Sequence, residues 1–147
     1  MPRPTPEPSG ALSRRRLLAL LPGVLLALWA RIAVRAADVQ RVAFSLATIA
    51  KLRTVGGSAL VKLKGRDVLV IRDADQSVRA FDPTCTHEKC TVAYDAQARV
   101  IRCACHRSSY ALDGRVLDGP APRPLTLFPT TLDETRVIVT LPKSPAP

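Results

Sequence analysis

The soft metal-ligating side chains of this chain lie together in one short stretch of the sequence. The chain has 147 residues, and all four cysteines and both histidines fall between Cys85 and His106. They form two boxes, CTHEKC at 85–90 and CACHRSSY at 103–110. Each box places a thiol and an imidazole two or three positions apart, which indicates that two loops hold a metal or a metal cluster together.

The residues alone leave three kinds of site open. A single zinc ion can be bound by two cysteines and two histidines, but the C-x-H spacing is tight for zinc, and two cysteines remain over. A scaffold of disulfides uses all four cysteines but gives the histidines no role. A Rieske-type [2Fe–2S] centre takes two cysteines on one iron and two histidines on the other. The Rieske-type centre, unlike the disulfide scaffold, gives both histidines a role. A structural zinc-binding domain stays the alternative.

The two boxes resemble those of the Rieske proteins of the cytochrome bc and related exported type, which read C-T-H-x-G-C and C-P-C-H-G-S-x-Y. The resemblance extends over residues 39–142, and the segment 119–122 is similar to the proline-containing third loop of that family. It implies a small, all-β antiparallel sandwich of Rieske type with two cluster-binding loops at one end. It also implies one [2Fe–2S] cluster per chain.

The resemblance assigns roles to individual residues by their positions in the boxes. Cys85 and Cys103 would bind the inner iron. His87 and His106 would bind the outer iron, near solvent. The remaining cysteines, Cys90 and Cys105, would form a disulfide between the loops. Pro120 would belong to the loop that covers the cluster.

Residues beside the ligands are expected to set the potential and the docking properties. The hydroxyls of Ser108 and Tyr110 would donate to a bridging sulfide and to a cysteine sulfur, which predicts a potential in the upper half of the range of about −150 to +300 mV. Lys89 and Arg107 stand where the family has glycine, so they put the local loop geometry in question. If the loops keep their shape, these two cations are candidates for docking an acidic partner.

The segment 1–37 predicts a signal peptide or a membrane anchor ahead of a Rieske domain at 38–147. Residues 13–18 read SRRRLL, which resembles the twin-arginine signal with leucine in place of phenylalanine. The apolar run from Leu17 to Ala30 would span about 21 Å as a helix, short of the roughly 30 Å hydrocarbon core. We therefore expect export across the bacterial inner membrane by the twin-arginine machinery, to a periplasmic or periplasm-facing anchored location.

Charge and composition narrow the class of function. The formal net charge is +10, but residues 38–147 carry 16 basic and 11 acidic side chains that are scattered along the sequence, which argues against nucleic-acid binding. The predicted function is electron transfer as a periplasmic carrier or as a small subunit of a respiratory or oxidoreductase complex. The partner would be a cytochrome or an oxidoreductase catalytic subunit, with quinol and membrane association open. The alternative is the ferredoxin of a ring-hydroxylating oxygenase.

Hydrophobic alternation predicts the strands that position the boxes. We expect a buried strand at 67–72, a turn at Gly65–Arg66 before it and a polar turn at 73–77 after it. Segment 41–52 fits either a strand or a helical turn. Further strands are predicted at 61–64, 78–81, 100–101 and 136–141.

Overall fold

We describe residues 39–143 of the chain from a computed structural model. The regular structure of these residues consists of β-strands and two single-turn 3₁₀ helices, at Leu46–Thr48 and Ala50–Leu52. The strands are β1 (Val39–Ser45), β2 (Ser58–Leu63), β3 (Arg66–Ala74), β4 (Ser77–Phe81), β5 (Val92–Asp95), β6 (Val100–Cys103), β7 (Ser109–Tyr110), β8 (Val116–Asp118), β9 (Leu127–Phe128), β10 (Thr130–Asp133) and β11 (Arg136–Pro142). The predicted all-β class is confirmed. The predicted signal peptide or anchor at 1–37 lies outside the described residues.

The strands form three antiparallel sheets. One has the order β1-β11-β10, the second β2-β3-β4-β9 and the third β5-β6-β7-β8. Pairing of β1 with β11 places Val39 opposite Pro142, so the first and last described strands pair along their whole length. Between residues 39 and 143, no helix has the length and apolar character needed to cross a membrane.

Strand β3 is buried on both faces and divides the interior into two cores. Its side chains alternate: Val68 and Val70 enter one core, and Leu69 and Ile71 enter the other. Successive side chains of a strand point to opposite faces, so a continuous apolar run needs cover on both sides. The first core lies between the first two sheets, and the second lies between β3, β4 and the third sheet. The metal-ligand boxes border the second core.

The structure refines two of the sequence-based predictions, the turn before β3 and the conformation of segment 41–52. The predicted turn at Gly65–Arg66 is wrong by one residue: Lys64 and Gly65 form it, with φ of 51° and 83°, and Arg66 begins β3. Two successive positive φ angles suit a tight hairpin, which fixes the turn at this pair. Segment 41–52 contains both structures that the pattern allowed, a strand through Ser45 and then the two 3₁₀ turns.

Candidate metal centre

Each of the two boxes forms a closed loop with its own backbone hydrogen bonds. In the first box, Cys85 N–H donates to Cys90 O at 2.8 Å, and Lys89 N–H donates to Cys85 O at 3.0 Å. In the second, Cys103 N–H donates to Ser108 O at 2.8 Å. Each closure places a cysteine at the base of its loop, and the histidine that follows lies nearer the tip.

A disulfide joins the two loops. It links Cys90 to Cys105, which are 15 positions apart in the sequence, and it is the disulfide that the resemblance implies. Cross-linking the loops removes conformational freedom that they would otherwise have in the unfolded chain. The two boxes are therefore held as one unit.

The other four donors divide into a buried pair and an exposed pair. The thiols of Cys85 and Cys103 are free of disulfides and are 1% and 2% exposed, at the border of the second core. The rings of His87 and His106 are solvent-exposed, with centroids 4.8 Å apart. Two thiolates and two imidazoles, segregated in this way, fit a cluster with one iron facing the interior and the other facing solvent.

Tyr110 favours the thiolate form of Cys85. The Tyr110 hydroxyl lies 3.2 Å from Cys85 Sγ. Burial raises the pKa of the Cys85 thiol, but hydrogen bonds from Tyr110, from the His87 backbone N–H and from Cys103 outweigh it, so the net shift is downward. The pKa of Tyr110 is raised by its burial and by the nearby Cys85. Tyr110 therefore keeps its proton and can donate it to sulfur, as a metal-bound thiolate requires.

A third loop packs against the second box through Ser108 and Gly119. The Ser108 hydroxyl oxygen accepts from Ala121 N–H at 3.2 Å, which leaves its O–H proton for another acceptor. Gly119 has a φ of +90°, and a Cβ built on it would lie 2.5 Å from Ser108 Cα. Only glycine permits this approach, so Gly119 fixes where the third loop can lie.

The third loop also contacts the first box. The Thr86 hydroxyl donates to the carbonyl oxygen of Arg123 at 2.7 Å, and the Thr86 N–H donates to the Tyr110 hydroxyl at 3.3 Å. Pro120 lies on this loop and is exposed. Thr86 thus connects the first box, the third loop and the tyrosine.

The comparisons with known proteins agree with this geometry. The family described as "Rieske [2Fe-2S] domain" matches residues 44–129, which is more than half of the chain. The chain belongs to this Rieske family. The cofactor in the family's description is a [2Fe–2S] cluster, and the donor set of this Rieske domain fits it.

Relatives and solved structures are consistent with the assignment. The chain is 37% identical over 73 residues to the chloroplastic cytochrome b6-f complex iron-sulfur subunit of Bigelowiella natans. The match covers 48% of this chain and 29% of that subunit. The chain thus spans less than a third of the length of that relative. The plasma membrane Rieske protein PetC3 from Synechocystis PCC 6803 has a TM-score of 0.54 at 29% identity, over 62% of this chain and 92% of PetC3.

A ferredoxin–oxygenase complex shares the fold at lower identity. A chain in the complex of reduced oxygenase and oxidized ferredoxin in carbazole 1,9a-dioxygenase has a TM-score of 0.54 at 23% identity. The match covers 69% of this chain and 92% of that one. This likeness concerns the fold alone, so the alternative of an oxygenase ferredoxin has weaker support than the relation to cytochrome b6-f subunits.

Lys89 and Arg107 keep the loop shape although they replace glycine. Both residues have positive φ angles, 58° for Lys89 and 60° for Arg107, and both are exposed. A side chain in this left-handed region costs roughly 1–2 kcal/mol. The loops of the Rieske domain therefore tolerate the strain, and both cations lie beside the exposed histidines.

Glu88 is a site residue that the sequence analysis missed. Its carboxylate Oε2 lies 3.6 Å from Nε2 of His106, and both side chains are exposed. Glu88 is next to His87 in the sequence, but its contact is with the histidine of the other box. Only the closure of the two loops against each other reveals that pairing.

Proposed function

We propose that this Rieske domain is an electron carrier that holds one [2Fe–2S] cluster on the four donors Cys85, Cys103, His87 and His106. When bound, the cluster accepts and releases single electrons. The observation that carries the proposal is the pair of buried thiols and the pair of exposed imidazoles on two disulfide-linked loops. In this proposal the domain transfers electrons for an oxidoreductase and carries out no substrate chemistry of its own.

The chain's own residues support a high potential. Two neutral imidazoles give the centre less negative charge than four thiolates would, which places Rieske potentials at about −150 to +300 mV. The Tyr110 hydroxyl is within 3.2 Å of the Cys85 sulfur, and Ser108 retains its proton for donation. Both donors favour the more negative, reduced state, so a value in the upper half of that range is expected.

The composition of the purified protein tests the proposal directly. We expect two irons and two acid-labile sulfides per chain, and an EPR signal of a Rieske cluster after reduction. Cys85→Ser should abolish both the iron and the signal. Ser109→Ala, which changes a buried residue of the second box that is not a proposed ligand, should retain them. Stoichiometric zinc without labile sulfide would instead establish the zinc-binding alternative.

We further propose that the carrier acts outside the cytoplasm with a redox protein. The SRRRLL segment at 13–18 supports twin-arginine export, a route that carries folded proteins. The relation to cytochrome b6-f subunits supports a cytochrome or an oxidoreductase catalytic subunit as partner. Quinol is a candidate reductant that the relatives' names do not address. Lys89 and Arg107 give the histidine end positive charge that suits an acidic partner.

The location can be tested on the full chain in a bacterial host. Replacement of Arg14 and Arg15 by lysine should retain the protein in the cytoplasm, and a matched change of Arg3 to lysine should not. N-terminal sequencing of the exported protein should begin near Ala37 if the leader is cleaved. Export that is unaffected by the Arg14 and Arg15 changes would contradict the twin-arginine route.

A further inference from the structure

A surface groove lies between strand β2 of the second sheet and strand β5 of the third. Its volume is about 500 Å³, and its lining includes Lys51 of the second 3₁₀ turn, Leu60 of β2 and Tyr94 of β5. None of the residues that line the groove is a proposed ligand of the cluster. The groove is therefore a feature of the flank of the domain and not of its histidine end.

The floor of the groove is apolar because the third sheet covers only part of the second. Leu60 on β2 is directly opposite Leu69 on β3, so the two side chains lie on the same face of the sheet. Leu69 is 3% exposed and belongs to the second core, whereas Leu60 is 54% exposed. The cover thus ends before β2, and Leu60 remains open to solvent in the groove.

The wall of the groove is strand β5, an edge strand that pairs with β6 alone among the described strands. In an antiparallel pair, residues bond across the ladder at alternate positions. Val92 N–H donates to Pro83 O at 2.8 Å, and Cys103, which is opposite Val92, donates its N–H to Ser108 O at 2.8 Å. Both N–H groups of this pair therefore point away from the β5–β6 ladder.

The same alternation places backbone groups of Tyr94 at the open edge. Tyr94 is two residues beyond Val92, so its N–H and C=O also point away from β6. Its side chain packs against the second core. Unpaired N–H and C=O groups on an edge strand are a template for a further strand. Since successive side chains of a strand alternate between its two faces, a strand added here would direct every second side chain toward Leu60.

The groove is positively charged. Lys51 is exposed, and no carboxylate within residues 39–143 forms an ion pair with it. The acidic residue of β5, Asp95, already pairs with Arg102 at 3.0 Å. An acidic side chain on an added strand would therefore be attracted by Lys51, whereas a second copy of this chain would add another lysine to the groove.

We propose that this groove binds an extended segment of a partner protein, which adds to β5 as a further strand. The segment forms main-chain hydrogen bonds with Tyr94, places an apolar side chain on Leu60 and places an acidic side chain near Lys51. No imidazole lines the groove, so a partner attached there leaves both histidines uncovered. The groove thus adds a binding surface to the domain that is separate from its electron-transfer end.

A synthetic peptide tests the proposal on the purified holoprotein. The probe is a short fluorescein-labelled peptide in which valines alternate with glutamate and serine, and fluorescence anisotropy at low salt measures its dissociation constant. The control probe has the same sequence with N-methylated main-chain amides, which cannot donate to the Tyr94 carbonyl. The variants are Leu60→Glu and Lys51→Glu. The control variant is Leu127→Glu, which changes an exposed leucine of β9 outside the groove.

The unmodified peptide should bind with a dissociation constant below about 1 mM. Leu60→Glu should weaken binding by about tenfold or more, because an apolar contact is replaced by a charge that repels the glutamates. Lys51→Glu should weaken it by about three- to tenfold, and a peptide with lysine in place of glutamate should recover the loss. Leu127→Glu should change the dissociation constant by less than about twofold, because it is outside the groove.

Hydrogen–deuterium exchange, measured by mass spectrometry at single-residue resolution, locates the added strand. Saturating peptide should slow exchange of the Tyr94 amide by about fivefold or more, since that N–H gains a partner. The Ala93 amide, which faces β6, is the internal control and should be unchanged.

Several results would overturn the inference. No binding at about 1 mM peptide, or equal binding of the N-methylated peptide, would show that no strand adds to β5. Equal effects of Leu60→Glu and Leu127→Glu would show that the peptide lies elsewhere. A dimer in sedimentation equilibrium that Leu60→Glu abolishes would assign the groove to a second copy of the chain. Sedimentation with phosphatidylglycerol vesicles that depends on Leu60 would assign it to a membrane. Iron, sulfide and EPR measurements on the same samples test the cluster separately.

Discussion

At the scale of single residues, the hydrogen bond from Tyr110 to Cys85 is the contact that should most directly set the potential. The two atoms are 3.2 Å apart, and Tyr110 is fully buried. We expect Tyr110→Phe to lower the midpoint potential by about 40 mV, since a loss of about 1 kcal/mol in favour of the reduced state corresponds to that shift for one electron. Redox titration followed by EPR measures it.

The control for this experiment is Tyr94→Phe. Tyr94 packs against the same core and is half-buried. The Tyr94→Phe substitution should leave the midpoint potential of the cluster unchanged. Equal midpoints for the Tyr110→Phe and wild-type proteins would show that the hydroxyl does not stabilise the reduced state.

The types and spacing of the site residues were largely readable from the sequence, whereas their partners were not. The boxes reveal Cys85 and His87 because few chemistries combine thiols and imidazoles at such short spacings. Glu88 and Arg123 gave no such signal, because exposed charged side chains are common and their meaning depends on what the fold brings near them. His106 makes the point: its carboxylate neighbour comes from the other loop.

At the scale of elements, the position of the third loop should depend on Gly119. A methyl group on Gly119 would lie 2.5 Å from Ser108 Cα, and the residue's φ of +90° is itself unfavourable for alanine. We expect Gly119→Ala to lower the free energy of unfolding by about 2 kcal/mol and to displace the loop from Ser108. Chemical denaturation of the holoprotein measures the first effect.

The matched control for the loop is Gly65→Ala. Gly65 also has a positive φ, 83°, but a Cβ there would meet no atom within 4 Å. Gly65→Ala should therefore cost only the backbone strain, roughly 1 kcal/mol, and leave the EPR spectrum unchanged. If Gly119→Ala were no more costly than Gly65→Ala, the close approach to Ser108 would not restrict the loop.

The disulfide should act as a clamp between the loops. It closes a segment of 15 positions, for which chain-entropy arguments give about 3 kcal/mol of stabilisation. We expect the double change Cys90→Ser and Cys105→Ser to lower the free energy of unfolding by about that amount and to speed loss of iron. Denaturation and iron release measure the two effects. A variant with wild-type values for both would show that the loops hold together without the clamp.

The longer strands were predictable, and the shortest were not. β3 and β11 carry runs of apolar residues long enough to be recognised. β7 and β9 have two residues each, so no periodicity can show in them. Their strand geometry comes from pairing with β6 and β4, which is a tertiary effect.

At the scale of the whole molecule, an ion pair between β3 and β4 connects the second sheet to the loop that follows β7 in the third sheet. Asp73, at the end of β3, is 9% exposed and lies 2.7 Å from Nε of Arg79 on β4. Arg79 in turn donates to the carbonyl oxygen of Leu112 at 3.1 Å, beyond β7. One carboxylate thus orients a guanidinium that reaches from the second sheet to the loop between β7 and β8.

This connection should make stability depend on pH. Burial raises the pKa of Asp73, but hydrogen bonds with Ser77 and Arg79 and the charge of Arg79 outweigh it, so the folded pKa lies below the ordinary 3.8. A group with a depressed folded pKa contributes stability at pH values above its unfolded pKa and loses it as pH falls through the folded pKa. We therefore expect Asp73→Asn to lower the free energy of unfolding by about 1–3 kcal/mol at pH 7, since the pair is partly buried.

The comparison with Asp133→Asn isolates that pair. Asp133 lies 3.5 Å from Arg136, but both side chains are well exposed, at 59% and 66%, so its loss should matter by less than about 1 kcal/mol. Urea denaturation at pH 7 and again near pH 3 measures both variants against the wild type. The difference between the wild type and Asp73→Asn should shrink at the lower pH, because pH 3 lies below the ordinary pKa of 3.8, where the unfolded chain takes up a proton at Asp73 more readily than the folded chain does. A difference of equal size at both pH values would mean that packing, rather than the charge of Asp73, stabilises the contact between the second sheet and the loop between β7 and β8.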